Sequence, residues 1–180
     1  MLKIKKILSI IAIVLCIFQL VVLATAINVG QEAINRGAAW SARTFINNGI
    51  ANESGTITSI EIWAFSEITN LEVATFYSTG TNAFATRDSE AIPGAIAAGE
   101  KITKTVDLTI VAGDYIGCYF TGDIEYDTSG FLGTWYYAAD LIPSEGTTYS
   151  VGGGDAISLK GIGATEEKAG TTVMFTFSSF

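Results

Sequence analysis

The sequence predicts an all-β protein: an antiparallel β-sandwich of jelly-roll type behind an N-terminal signal peptide. Three observations predict it. Beyond Ala38, short runs of β-branched and aromatic residues alternate with Gly, Asn, Asp and Ser, the pattern of strands and turns. No long stretch carries apolar residues at helical spacing. The two prolines, Pro93 and Pro143, both fall between the runs, where a missing N–H interrupts no ladder.

The N-terminus reads differently from the rest. Met1 to Lys6 holds three lysines, Ile7 to Leu23 is apolar apart from Ser9 and Gln19, and Ala24-Thr25-Ala26 is a small-x-small ending. A basic start, an apolar run and such an ending define a secretory signal peptide over 1–26. The apolar run has 17 residues, a little short of the ~20 of a membrane span, and an uncleaved N-terminal anchor is the alternative. Cys16 does not mark a lipoprotein site, because Leu15 before it is bulky and the apolar run continues past it. Residues 27–37 (INVGQEAINRG) are polar with two glycines and read as a linker.

One domain is expected over 38–180. Strands are expected near 39–46, 56–65, 71–78, 83–88, 101–110, 115–121, 123–127, 133–138, 147–150, 156–161 and 171–178. The segments 151–154 (VGGG) and 162–170 read as flexible loops, and Ala112-Gly113-Asp114 as a tight turn. In 101–110, Ile102, Lys104, Val106, Leu108 and Ile110 share the core face, and Lys101, Thr103, Thr105, Asp107 and Thr109 face water. Lys104 stands out on an apolar face. It marks an edge strand guarded by an inward charge, pairs with Glu61, or forms a lysine–amide crosslink. In 56–65 the apolar face reads Ile57, Ser59, Glu61, Trp63, Phe65. Asn52-Glu53-Ser54 is an N-glycosylation sequon in a loop.

Charge and composition narrow the function. All 18 acids lie beyond Ala26, where seven of the ten basic residues remain, so the exported chain carries a net charge of −11. That disfavours nucleic acid and anionic membrane surfaces as partners. The chain has no histidine, so no serine or cysteine nucleophile activated by imidazole is available. No pair of carboxylates is singled out for glycoside hydrolysis, and the expectation is that the protein is not an enzyme. Export leaves one cysteine, Cys118, on the face shared by Ile116 and Phe120, the place of a buried structural thiol.

Two groups of residues are candidate sites. Asp123, Glu125 and Asp127 occupy one face of a strand. Three carboxylates so placed repel unless water or a cation screens them, and calcium is the cation that takes such oxygen ligands. The face is therefore either a calcium site or a solvated surface. No other cofactor is expected. Beside it, Phe131, Trp135, Tyr136 and Tyr137 form an aromatic group suited to stacking on sugar rings while carboxylates accept hydroxyl protons. Consecutive residues alternate sides, so Trp135 and Tyr137 share one face, and at least one side of the strand belongs to the core.

The stretch VAGDYIGCYFTGDIEYDTSGFLGTWYYA (111–138) resembles a segment of uncharacterised β-sandwich domains of phages and environmental bacteria, which carry an AGDYIG…TSGxxGxWY pattern. The pieces SGTITSIEIWA (54–64), EVATFYSTGTNAFATRDSE (72–90) and AIAAGEKITKTVDLTI (95–110) resemble it too, so the likeness runs from Ala51 to Tyr137. It implies a shared fold unit and no particular activity. The phage versions belong to virion proteins that need no export signal. This chain has one, which favours a secreted or cell-surface role. The resulting expectation is a non-enzymatic module for extracellular binding or adhesion, with polysaccharide as a fitting ligand. The alternative is a self-assembling structural subunit of a filament, coat or virion-like particle.

Overall fold

A computed structural model describes residues 24–165; the expected signal segment through Leu23 and the expected strand at 171–178 lie outside the described residues. Numbered in chain order, the described strands form three sheets, and every strand pair is antiparallel. The first sheet is β1 (Ala26–Gly30), β14 (Leu159–Ala164), β4 (Gly55–Trp63) and β7 (Lys101–Ile110), in that spatial order. The second is β11 (Glu145–Thr148), β6 (Ala83–Ala91), β5 (Thr69–Gly80), β8 (Tyr115–Thr121), β3 (Thr44–Asn47), β10 (Thr134–Tyr137) and β12 (Ser150–Gly152). The third is β13 (Ala156–Ile157), β9 (Asp123–Asp127) and β2 (Ala39–Ser41). Among the described residues there is no helix, as the sequence predicts.

The seven-stranded sheet cannot be flat. Its two edge strands, β11 and β12, are separated in the chain by Tyr149 alone. Two peptide steps hold Thr148 and Ser150 within about 7 Å of each other. A flat sheet of that many strands would place its edges roughly 29 Å apart. The sheet therefore curls into a half-barrel whose ends meet at Tyr149. The Tyr149 N–H donates to the Asn82 carbonyl at 2.8 Å, tying the seam to the β5–β6 turn. Asn82 sits in that turn at φ 54°, a left-handed conformation that asparagine tolerates better than most residues.

Both faces of this sheet are apolar, and they feed separate clusters. Phe45, Leu71, Val73, Ile116, Cys118 and Phe120 join Ile27, Val29, Ile57, Ile60, Ile62, Leu108 and Ile110 of the four-stranded sheet, with Ile124 and Ile157 of the small sheet, in the main core. Inside the curl, Ile46, Ala74, Phe76, Phe84, Ile142 and Tyr149 form a second cluster, with Tyr115, Tyr119, Trp135 and Leu141 packed on it. Strands covered on both sides lose the in-out alternation, and all four residues of β3 are buried. Buried polar side chains stitch the sheets together. Asn47 Nδ2 donates to the carbonyls of Ile157 and Leu159 at 2.9 and 3.1 Å, and Thr75 Oγ1 to the Thr109 carbonyl at 2.8 Å.

Several sequence expectations need correction. The expected linker 27–37 opens with β1, where Ile27 and Val29 are buried in the main core. In β4 a bulge between Ile57 and Ser59 shifts the side-chain phase by one residue. Ile60, Ile62 and Ala64 thus point inward in place of Ser59, Glu61, Trp63 and Phe65. The expected strand 39–46 is interrupted into β2 and β3, and the expected loops at 151–154 and 162–170 begin inside β12 and β14.

The sheet edges are covered by side chains. β7 is an edge strand, as Lys104 suggested. The outer N–H groups of Asp107 and Thr109 donate to Glu90 Oε2 and Asp88 Oδ2, both at 2.8 Å. On the other edge, the Asn52 side-chain amide accepts from the Asn28 N–H at 2.7 Å and donates to the Ala26 carbonyl at 3.0 Å. The sequon asparagine thus serves as a surrogate strand for β1.

Two measurements test this packing. Gly117 lies in β8, where an added Cβ would come within 2.1 Å of the Phe45 carbonyl oxygen and 2.8 Å of a Phe76 ring carbon. Backbone gives way poorly, so Gly117→Ala is expected to cost about 3 kcal/mol or more in urea unfolding, at or above the upper end for overpacking. Burial pushes the Cys118 thiol well above its ordinary range. A raised acid keeps its full stabilising contribution below its unfolded pKa and loses it as pH rises. Between pH ~8.5 and ~10, stability should therefore fall by up to about 1.4 kcal/mol per pH unit. Cys118→Ala should remove that slope in melts across the same range.

Candidate functional site

The acidic strand is occupied from within the chain. In β9, Glu125 is buried, and its Oε2 accepts from the backbone N–H groups of Arg36 and Gly37 at 2.9 and 2.7 Å. Asp127 Oδ2 accepts from Arg36 Nη1 at 2.7 Å. Arg36 Nε donates to Ser158 Oγ at 2.8 Å and Nη2 to the Glu32 carbonyl at 2.8 Å, while the guanidinium lies 4.8 Å over the Phe131 ring. Asp123 is turned elsewhere and accepts from Ser66 Oγ at 2.7 Å. The cation that relieves β9 is thus a guanidinium, whose side chain is only 1% exposed. Among the described residues no group of three or more acidic, cysteine or histidine side chains converges as metal ligands.

The aromatic candidates are split between the two clusters. Trp135 turns into the half-barrel, packs tilted against Phe84 with ring centroids 4.7 Å apart, and donates its indole N–H to Asn82 Oδ1 at 2.8 Å. Tyr137 shares that face, as alternation requires, and meets Tyr149 at 6.1 Å. Tyr136 points the other way, onto Trp40 at 5.0 Å. Phe131 is taken by Arg36. The four do not form one stacking platform: Trp135, Tyr136 and Phe131 are each engaged by different neighbours, and Tyr137 alone stays exposed.

Other charges are also committed. Asp114, buried at the start of β8, accepts from Arg87 Nε and Nη2 and from the Val111 N–H. Arg87 also lies 5.0 Å over the Tyr77 ring, and its bond to Asp114 raises its already high pKa. Glu61 pairs with Lys101 at 3.0 Å, not with Lys104. The β4 bulge turns Glu61 to the face opposite Ile60, and Ile60 is the residue that pairs with Lys104.

Among the described residues, an open cleft of about 600 Å³ lies at one mouth of the half-barrel. Glu72 of β5 is paired with Ala91 of β6 on one side and Tyr119 of β8 on the other, so these three lie in a row across the sheet. They stand on the parity of Ala74 and Phe76 but beyond them, so the row forms the rim above the second cluster. Asn70, Pro93 and Asp140 complete the wall, and no basic side chain lines it. Asn70 holds φ 50° inside the irregular start of β5, where the register slips between Thr69 and Glu72. As at Asn82, asparagine accommodates this left-handed conformation, here at a break in the ladder. Sequence reading missed this cleft, because Glu72, Tyr119 and Asp140 are far apart in the chain. The trace it left is Glu72, a charge on the parity that continues into Ala74 and Phe76. Comparison with protein-family models, with curated proteins and with solved structures found no match to the chain.

The Arg36 cluster is open to test. Asp127 keeps 35% of its side chain in water, so Arg36→Met should cost about 3 kcal/mol, the low end for breaking a buried ion pair. Arg36→Lys should recover little of it, since an ammonium cannot make the same fork of bonds. Melting curves of the unmodified protein should coincide in calcium and in chelator.

Proposed function

We propose that the chain is an extracellular, non-enzymatic binding module that takes a neutral glycan at the mouth of the half-barrel. In this reading the four- and seven-stranded sheets form a β-sandwich of jelly-roll character, with the curled sheet supplying the site. The observation that carries it is the cleft itself: the half-buried Tyr119 ring beside Glu72, Asp140 and the Asn70 amide, with no cation among them. An aromatic face with carboxylate acceptors and an amide is the chemistry that recognises a polyhydroxylated ring. An all-acid rim repels uronic or sulfated sugars. The carboxylates of Asp127 and Asp114 are taken by Arg36 and Arg87. The resemblance of 111–138 to phage and environmental domains fits a displayed module equally well.

A glycan array with the exported protein tests the reading. Binding to neutral oligosaccharides is expected, and Tyr119→Ala should weaken it at least tenfold, about 1.4 kcal/mol. Glu72→Gln should weaken it less, and Tyr137→Ala should leave it unchanged. A blank array, or a Tyr119→Ala protein that binds normally, rejects the site. A blank array together with large particles in light scattering would favour the structural-subunit alternative.

A further inference from the structure

We infer that Asn47, Thr134 and Asp155 form a binding site for a single alkali-metal cation between the curled sheet and the small sheet. This goes beyond the glycan-binding reading and does not rest on it.

The first observation is a pair of buried oxygens. Asn47 of β3 and Thr134 of β10 have no exposed surface. They sit directly opposite each other in the β3–β10 ladder, so their side chains share a face with Cβ atoms about 5 Å apart. That face is the one toward the main core, since the next row on the same parity is Phe45 and Tyr136, on which Trp40 packs. Asn47 Nδ2 directs both its hydrogens to the carbonyls of Ile157 and Leu159, which fixes the amide and leaves Oδ1 as its free end. Neither Asn47 Oδ1 nor Thr134 Oγ1 has a hydrogen-bond partner among the described residues. Folded proteins rarely bury such atoms without an ion or a water against them.

The second observation is a carboxylate in the same row. Gly152 of β12 is the partner of Thr134 on its other side, and Asp155 Oδ2 occupies the place that a Cβ on Gly152 would take. Across three strands the row therefore reads amide oxygen, hydroxyl oxygen, carboxylate oxygen. The missing side chain at Gly152 lets the carboxylate fold back over the strand, with Trp40 Cη2 3.1 Å from the same point. Asp155 enters none of the salt bridges among the described residues, and burial pushes its pKa up. The β13–β9 ladder sets Asp127 opposite Ala156, so a second acid lies beside it, and Arg36 is already bound to that one.

The class of ligand follows from this set. All three atoms are oxygens, the donors that hard cations take. Water alone can bridge the amide and hydroxyl oxygens, but it leaves the carboxylate charge uncompensated beside an aromatic wall, which is unfavourable. One positive charge against one carboxylate makes the site neutral. Calcium affinity rises with the number of charged ligands, so a single carboxylate suits a monovalent ion better. Gly153 is exposed, and Gly152, Gly154 and Asp155 are half-buried, so the ion enters through the glycine loop and keeps water on that side. Bound there, it ties β12, an edge of the curled sheet, to β3 and to the segment leading into β13.

Melting curves of the exported protein in sodium, potassium and tetramethylammonium chloride test the site. Equal ionic strength keeps screening the same in all three, and tetramethylammonium is too large to be held by the three oxygens. At a tenfold excess of ion over Kd, one of the alkali salts should raise the melting temperature above that in tetramethylammonium by about 3 °C or more. Which of the two does so identifies the cation. Asp155→Asn, a change in the surface loop, should abolish the difference between salts. Thr134→Val should reduce it, and Thr134→Ser, which keeps the hydroxyl, should restore it. Equal melting temperatures of the unmodified protein in the three salts would show that water alone fills the site and would overturn the inference. So would a salt difference that survives in full in Asp155→Asn. No glycan enters the experiment, so its outcome is separate from the fate of the binding reading.

Discussion

A single residue, Tyr149, joins strands that lie at opposite edges of one seven-stranded sheet. Covalent continuity leaves that sheet no choice but to curl, and much else follows from the curl. It creates an inside, which Phe76, Phe84, Trp135 and Ile142 fill, and an outside, which packs in the main core. It brings the β5–β6 turn against the seam, so that Asn82 binds both the Tyr149 N–H and the Trp135 indole. It also leaves a mouth, and the cleft between Glu72, Tyr119 and Asp140 is that mouth.

The surplus of acids has structural work inside the domain. Few cations are available, and two arginines gather acceptors from distant parts of the chain. Arg36 holds the segment after β1 onto β9, and Arg87 holds β6 onto the start of β8. Asp88 and Glu90 do something different: they accept from the free N–H groups of β7. An edge closed by carboxylates cannot accept another strand, and two like-charged edges repel when copies meet.

How far the sequence could be read depended on how local each cause was. Strands β7, β8 and β9 coincide with the expected 101–110, 115–121 and 123–127, because strict alternation between clear turns is a local signal. The inverted phase of β4 was hidden, since one inserted residue at Thr58 leaves no mark in composition. β1 was concealed by its polar neighbours; only Ile27 and Val29 carry its burial. Arg36 went unnoticed because its partners Asp127 and Ser158 are 91 and 122 residues away. Alternation shows that Trp135 and Tyr137 share a side of β10, but nothing local reveals that Trp135 turns into the half-barrel and that Arg36 takes Phe131. The cleft was invisible for the same reason as Arg36: it is assembled by register, not by proximity in the chain.

The double coverage of the curled sheet bears on how the domain comes apart. Trp40 packs on the main core and Trp135 on the cluster inside the curl, with β3, β5 and β8 as the wall between them. Neither cluster can melt alone, because loss of either strips one face from the strands that support the other. Two apolar centres therefore behave as a single cooperative unit, and indoles on opposite sides of the wall lose their surroundings in the same transition. The amides of β5 and β8, central in the sheet and shielded from both sides, are the last to meet solvent.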